Sequence, residues 1–218
     1  MAQDPLIPPS PSEEFYAVDH DQGDVFSSDD PFDLFKQWLS LASDKELNDP
    51  NAMALATVDE HGMPDVRMVL LKDISEGGLT FHTSKLSAKG RELSNNAQAA
   101  INFHWKSIRR QVRFRGQAEE VSAKEASAYF ATRARGARIG AWASKQSQPL
   151  NAPDALQTSF AEQERRFEGR DVPRPDYWTG YRVMPEEIEF WVNRPYRLHE
   201  RLLFKKVGAK WSQARLYP

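Results

Sequence analysis

Ala52-Met53-Ala54-Leu55-Ala56-Thr57-Val58, then Asp59-Glu60-His61-Gly62, then Asp65-Val66-Arg67-Met68-Val69-Leu70-Leu71-Lys72 is the stretch on which the fold turns. Two apolar runs flank a short polar segment that ends in glycine, which reads as two antiparallel strands and their turn. The pattern then repeats. Ser75-Glu76-Gly77-Gly78 turns the chain into a strand at 79–83, and strands at 99–105 and 110–121 read as another hairpin. Further strands are expected at 178–183, 188–192 and 196–205, with a last one ending near Leu216. Helices interrupt them: a short one at 87–95, one from the capping box of Ser122 and Glu125 to about Arg133, and a long one over roughly 153–167, where Leu156, Phe160 and Phe167 share a side. About eight strands joined mostly by short links favour a mainly β fold, an antiparallel barrel with helical insertions.

Upstream, Asp30-Pro31 opens a helix, since Asp caps well and Pro is tolerated in the first turn. Leu34, Phe35, Trp38, Leu39 and Leu41 give it an apolar face. Residues 1–29, rich in Pro, Ser, Asp and Glu, read as a mobile arm in which Phe15, Tyr16 and Phe26 could dock, and 30–218 as one domain.

Composition removes several functions. With 29 basic and 31 acidic residues in 218, the net charge is −2, which argues against bulk attraction to nucleic acid or membrane. No cysteine is present, so disulfides, thiolate metal sites and cysteine nucleophiles are excluded. No apolar run approaches the ~18 residues of a membrane span, and the N-terminus lacks a signal-peptide pattern, so a cytoplasmic location is expected. The five histidines are scattered, so no metal site is expected. Phosphate-loop, dinucleotide and hydrolase-elbow motifs are absent.

What remains is a set of cations and amides. Read as one strand, Arg197-Leu198-His199-Glu200-Arg201 puts Arg197, His199 and Arg201 on one face, either a solvated edge or a site for an anion or aromatic ligand beside Trp191. Arg67–Lys72 reads as a strand, apolar inside and bracketed by cations. Ser87-Ala88-Lys89-Gly90-Arg91 opens a helix whose free N–H groups and lysine suit an anion. Arg109–Arg115 is basic with an interleaved Phe114, which fits a half-exposed strand or an RNA-binding face. Tyr129–Arg133 ends a helix, and Ser144–Pro149 reads only as a polar loop after Ile139-Gly140-Ala141-Trp142.

Taken in order, Arg67–Lys72, Lys89, Arg110-Gln111-Val112, Ile139–Ser147, Glu189-Phe190-Trp191, Arg197–Arg201 and the closing Arg215-Leu216-Tyr217-Pro218 resemble the pyridoxamine 5′-phosphate oxidase family over about residues 30–218. The resemblance implies an FMN-binding split barrel, working as a homodimer with flavin between the subunits. It implies oxidation of pyridoxamine or pyridoxine 5′-phosphate to pyridoxal 5′-phosphate, with O2 as acceptor, hydrogen peroxide released and, from the amine, ammonia lost by hydrolysis. Arg67, Lys89 and Ser147 would hold the FMN phosphate. Lys72, Thr83, Gln111, Gln146, Trp191 and Arg201 would surround the rest of the flavin, lined also by His82 and the backbone of Met68, Val69, Leu70 and Leu71. Lys72, Tyr129 and Arg133 would grip the substrate phosphate, while Arg197 and His199, with Leu198 between them, would hold the pyridine ring. If Arg67 and Lys89 come from one subunit, Gln146, Trp191 and Arg201 are expected from the other. The chain departs from the family at Ala88, where a basic or amide residue is expected, and at Ala137, where a serine is expected and Arg138 stands by as a compensating cation. The alternatives are a related flavin oxidase of phenazine biosynthesis and a non-catalytic binder of flavin or pyridoxal phosphate.

Overall fold

The computed structural model describes residues 6–7, 12–13, 23–75 and 77–218. The strands are β1 (Ala52–Val58), β2 (Pro64–Leu70), β3 (Asp73–Ser75), β4 (Gly78–Ser84), β5 (Gln98–Trp105), β6 (Arg110–Glu120), β7 (Trp178–Val192), β8 (Glu200–Val207) and β9 (Lys210–Leu216). The helices are α1 (Pro31–Lys45), α2 (Ala88–Asn95), α3 (Ala123–Thr132), α4 (Arg135–Ala143) and α5 (Ala155–Arg166), with a 3-10 turn at Pro195–Arg197. The strands form one antiparallel sheet in the order β2-β1-β5-β6-β7-β4-β3, and β8 and β9 extend it from the far end of β7. The Lys72 N–H donates to Thr80 O at 2.8 Å and ties the end of β2 to β4, which curls the sheet into a barrel.

Alternating residues of β1, β5, β6 and β7 fill the interior, where Phe35 of α1 meets Phe103 and Phe114 at 5.0 and 4.9 Å between ring centres. Asp30 caps α1 through the N–H groups of Phe32 and Asp33, as its sequence suggests. Ser122 caps α3 through Glu125 N, but the Glu125 carboxylate accepts from Arg182 at 2.5 Å.

Four expectations need correction. The strands at 178–183 and 188–192 are one, β7, which runs through Pro185 because the register with β6 slips there; a proline is tolerated where the ladder is broken. Gly116 sits at that slip, and a Cβ on it would lie 2.0 Å from Met184 O. The strand expected at 196–205 starts only at Glu200, so Arg197 and His199 lie in a turn and strand alternation does not place them. The segment after Arg133 is the helix α4, missed because it is short, its glycines 136 and 140 read as breakers, and Ala134 at its start makes no side-chain cap. Not all apolar residues of β2 are inside: β2 is an edge strand, and Val66, Met68 and Leu70 are exposed, while Val69 packs against the core.

Residues 23–29, expected in the arm, pack against the domain instead. Val25 is buried, its carbonyl accepts from Trp38 Nε1 at 3.1 Å, and Phe26 packs 5.9 Å from Trp38. Residues 23–29 therefore belong to the domain; Phe15 and Tyr16 lie outside the described residues.

Candidate active site

A cavity of about 500 Å³ opens between the end of β2, β4, α2, α3 and α4. Met68, Val69 and Leu70 form one wall, and Lys72, Lys89 and Arg133 bring three cations to it. Lys89 is buried at the start of α2, where Ser87 caps the helix by accepting from Gly90 N at 3.2 Å. Burial, then the neighbouring Arg67, pull its ammonium below the usual lysine range, against the opposite pull of Glu92 and Asp65. Burial likewise lowers Arg133, whose guanidinium lies 4.9 Å from the Trp178 ring centre and whose Nη1 is buried without a hydrogen-bond partner. Desolvated cations lining a concave site, one with an idle donor, are suited to an anion such as phosphate.

His82 forms the floor. It stacks on Tyr129 at 4.0 Å and on Trp178 at 5.1 Å, nearly parallel to both. Its strand partner is Gly180, where a Cβ would come within 2.9 Å of the imidazole, so glycine leaves room for the stack. Both ring nitrogens are buried and unpartnered. Burial first, then Arg133 and Lys72, lower its pKa to about 4, so the ring is neutral near pH 7.

Arg67 stands beside this cavity. Its guanidinium donates to Asp65 at 2.6 Å, to Glu92 at 2.9 Å and to Thr57. Leu71 turns its side chain into the core, leaving only its backbone for a ligand. Thr83 donates to Gln146 Oε1 at 3.0 Å, so Gln146 joins the Lys89 group and not, as expected, Trp191 and Arg201. Ser147 follows on the exposed loop with φ 68°. Ala137 lines the cavity, whereas Arg138 is not among its lining residues and donates to Asp171 at 2.7 Å and to Val172 O.

A second cluster forms where β6, β7 and β8 run side by side. Gln111 pairs with Trp191, and Trp191 with Arg201. Glu189, buried, accepts from Arg201 Nε at 2.8 Å and from Arg113 at 2.5 Å; Arg201 also donates to Tyr217 O. Arg113 and Arg115 are thus matched by Glu189 and Glu187, as a half-exposed strand requires and a nucleic-acid face does not. His199 lies 4.5 Å from the Trp191 ring, while Arg197 and Leu198 are exposed in the turn. Burial, then Arg197, lower the His199 pKa.

The two clusters lie at opposite ends of β7. Thr83 pairs with Thr179, near its start, and Arg201 with Trp191, near its end. Twelve residues of strand span about 40 Å. Among the described residues no group of metal-binding side chains occurs, and no helix is long and apolar enough to cross a membrane.

An antiparallel split barrel with a cation-lined cavity at one end of its longest strand defines a class of protein suited to a phosphorylated ligand. Comparison with known proteins narrows it. The family described as pyridoxamine 5′-phosphate oxidase matches residues 41–166, and the pyridoxine 5′-phosphate oxidase C-terminal dimerisation region matches 178–218. A pyridoxine/pyridoxamine 5′-phosphate oxidase of Maricaulis maris is 54% identical over the whole of both chains. One from Ralstonia nicotianae is 54% identical over 95% of this chain and 97% of its own. Among solved structures, PhzG from Burkholderia lata, in complex with tetrahydrophenazine-1-carboxylic acid, superposes with a TM-score of 0.83 at 32% identity, covering 88% of this chain and 94% of that one. The chain belongs to the pyridoxamine 5′-phosphate oxidase family.

Proposed function

We propose that this protein binds FMN and oxidises pyridoxamine or pyridoxine 5′-phosphate to pyridoxal 5′-phosphate, the oxidised amine taking up water and releasing ammonia. The observation that carries this reading is the cavity whose cations Lys72, Lys89 and Arg133 are unmatched by a carboxylate on its wall, with Arg133 Nη1 idle. FMN, when bound, supplies the two-electron acceptor, which dioxygen reoxidises to give hydrogen peroxide. Lys89 and Arg67 hold its phosphate, and Thr83 and Gln146 meet its ring system. Lys72, Tyr129 and Arg133 grip the phosphate of the vitamer. Arg197 and His199 press the pyridine ring into place, so that the protein's contribution is orientation.

Half of this set sits about 40 Å along β7 from the other half. A homodimer resolves that separation by letting the Trp191 and Arg201 cluster of one subunit complete the cavity of the other. The dimerisation match at 178–218 includes that cluster and so supports the arrangement.

An oxidase acting on an unphosphorylated ring, as the likeness to PhzG could suggest, would leave Lys72 and Arg133 without a counter-ion. The test is turnover of FMN-loaded protein. Both phosphorylated vitamers should yield pyridoxal 5′-phosphate and peroxide, and unphosphorylated pyridoxine should be at least ~100-fold poorer in kcat/KM, since a charge-assisted contact is worth roughly 1.5–3 kcal/mol. Equal use of pyridoxine and its phosphate would refute the phosphate assignment.

A further inference from the structure

The turn from β7 to β8 holds Tyr196 and Arg197 at φ 55° and 61°. Two successive side-chain-bearing residues in the left-handed region persist only where neighbouring contacts over-determine them. Arg194 supplies those contacts at three atoms. Its backbone N–H donates to His199 Nδ1 at 3.1 Å. Its Nε donates to Glu200 Oε1 at 2.5 Å, and its Nη2 donates to Gly23 O at 3.1 Å. The guanidinium is largely buried, and the Leu198 N–H closes the turn onto Pro195 O at 3.0 Å.

The bond to Nδ1 has a chemical consequence. A nitrogen that accepts a hydrogen bond carries a lone pair, so the hydrogen of the neutral imidazole sits on Nε2. Burial and the neighbouring Arg197 oppose a second proton. Trp191, 4.5 Å away, limits how far the ring can turn.

We propose that Arg194 is a positioning residue: its main-chain N–H fixes His199 as the Nε2–H tautomer, and its guanidinium, clamped between Glu200 and the Gly23 carbonyl, locks the left-handed turn that presents Arg197. His199 then meets the substrate as a hydrogen-bond donor at Nε2 and has no lone pair there to take a proton. This rests on the reading of Arg197 and His199 as the pair that holds the ring. Residues 23–26 gain a role as well, since the same carbonyl anchors the turn, and Glu200 ties Arg194 to Arg215, which lies over Phe26.

The test uses FMN-loaded protein with 15N-labelled histidine, the His199 signals being identified by their loss in His199→Asn. The wild-type spectrum should show a protonated Nε2 and an unprotonated Nδ1. Arg194→Ala keeps the main-chain N–H, so the tautomer should persist, but it removes the side-chain clamp on the turn and should lower kcat roughly 10–100-fold, the range expected of misplaced reacting groups, with FMN affinity little changed. Arg194→Lys, which can keep the Glu200 contact, should recover part of kcat. A wild-type His199 protonated at Nδ1 overturns the proposal without any variant, so a misfolding mutant cannot shelter it. Wild-type kcat in Arg194→Ala overturns the role given to its guanidinium. Failure of the underlying reading looks different: Arg197→Met would then leave kcat intact while the His199 tautomer stayed as stated.

Discussion

Replacing His82 by phenylalanine should make the protein less sensitive to acid. The imidazole is packed between Tyr129 and Trp178 with Arg133 and Lys72 nearby, and its pKa is lowered from 6.5 to about 4. Asp73 pulls the other way but is outweighed. In the unfolded chain the ring protonates near 6.5; in the folded chain it resists protonation until about pH 4. Between those values the unfolded state binds more protons, so His82 costs nothing above pH 7, and stability is lost progressively as pH falls from 6.5 towards 4. If the whole gap were expressed, the loss at pH 5 would be about 2 kcal/mol. The ring keeps some exposure, and solvent screening reduces this to about 1 kcal/mol. For a chain of this size that is a fall of about 2–4 °C in Tm. Phenylalanine keeps the stack and removes the titration. The assay is Tm at pH 7.5 and pH 5.0 for both proteins at one saturating FMN concentration. Any fixed packing penalty cancels in the pH difference, which should be about 2–4 °C smaller in His82→Phe. An identical acid dependence in the two proteins would refute the claim that this ring is held neutral.

Arg197→Met should lower kcat/KM by roughly 10–150-fold with FMN still bound, the range for one lost charged contact; near-wild-type kinetics would show that the exposed Arg197 never meets substrate. Arg67→Ala and Arg201→Ala should each weaken FMN binding, measured by flavin fluorescence. Mixing them under subunit exchange should restore part of the tight binding, because a heterodimer has one doubly damaged site and one intact site; no recovery would mean that both residues act within one subunit.

The elements with a clean period were legible in the sequence. β1 is found at the expected residues 52–58, and α1 starts at the expected cap because Asp30 and Pro31 state their roles locally. β7 was read as two strands since Pro185 and two glutamates look like a break until β6 supplies the matching slip. α4 was invisible because half its purpose is to line a cavity: Ala137, Gly140 and Ala141 are small where a helix usually shows a larger face. The turn at 195–197 was misread for a related reason. Strand alternation is a property of unstrained backbone, and the left-handed pair Tyr196-Arg197 is held by Arg194, Glu200 and Gly23, the last of them more than 170 residues upstream. Gln146 could not be assigned to a side from sequence, because only the fold brings it to Thr83 across 63 residues.

The exposed edge at β2 connects these observations. Val66, Met68 and Leu70 each leave a large part of their side chain in water on a strand with free backbone groups, an arrangement that invites indiscriminate pairing unless something covers it. The same strand supplies the Met68–Leu70 wall of the cavity and carries Arg67 beside Lys89. A second subunit laid over this edge would bury the apolar row and, on the proposed reading, deliver Trp191 and Arg201 to the cavity in the same movement. Assembly and completion of the site would then be one event. A lone subunit would be both adhesive and short of half its ligands, so flavin affinity would report on the dimer as directly as any measurement of mass.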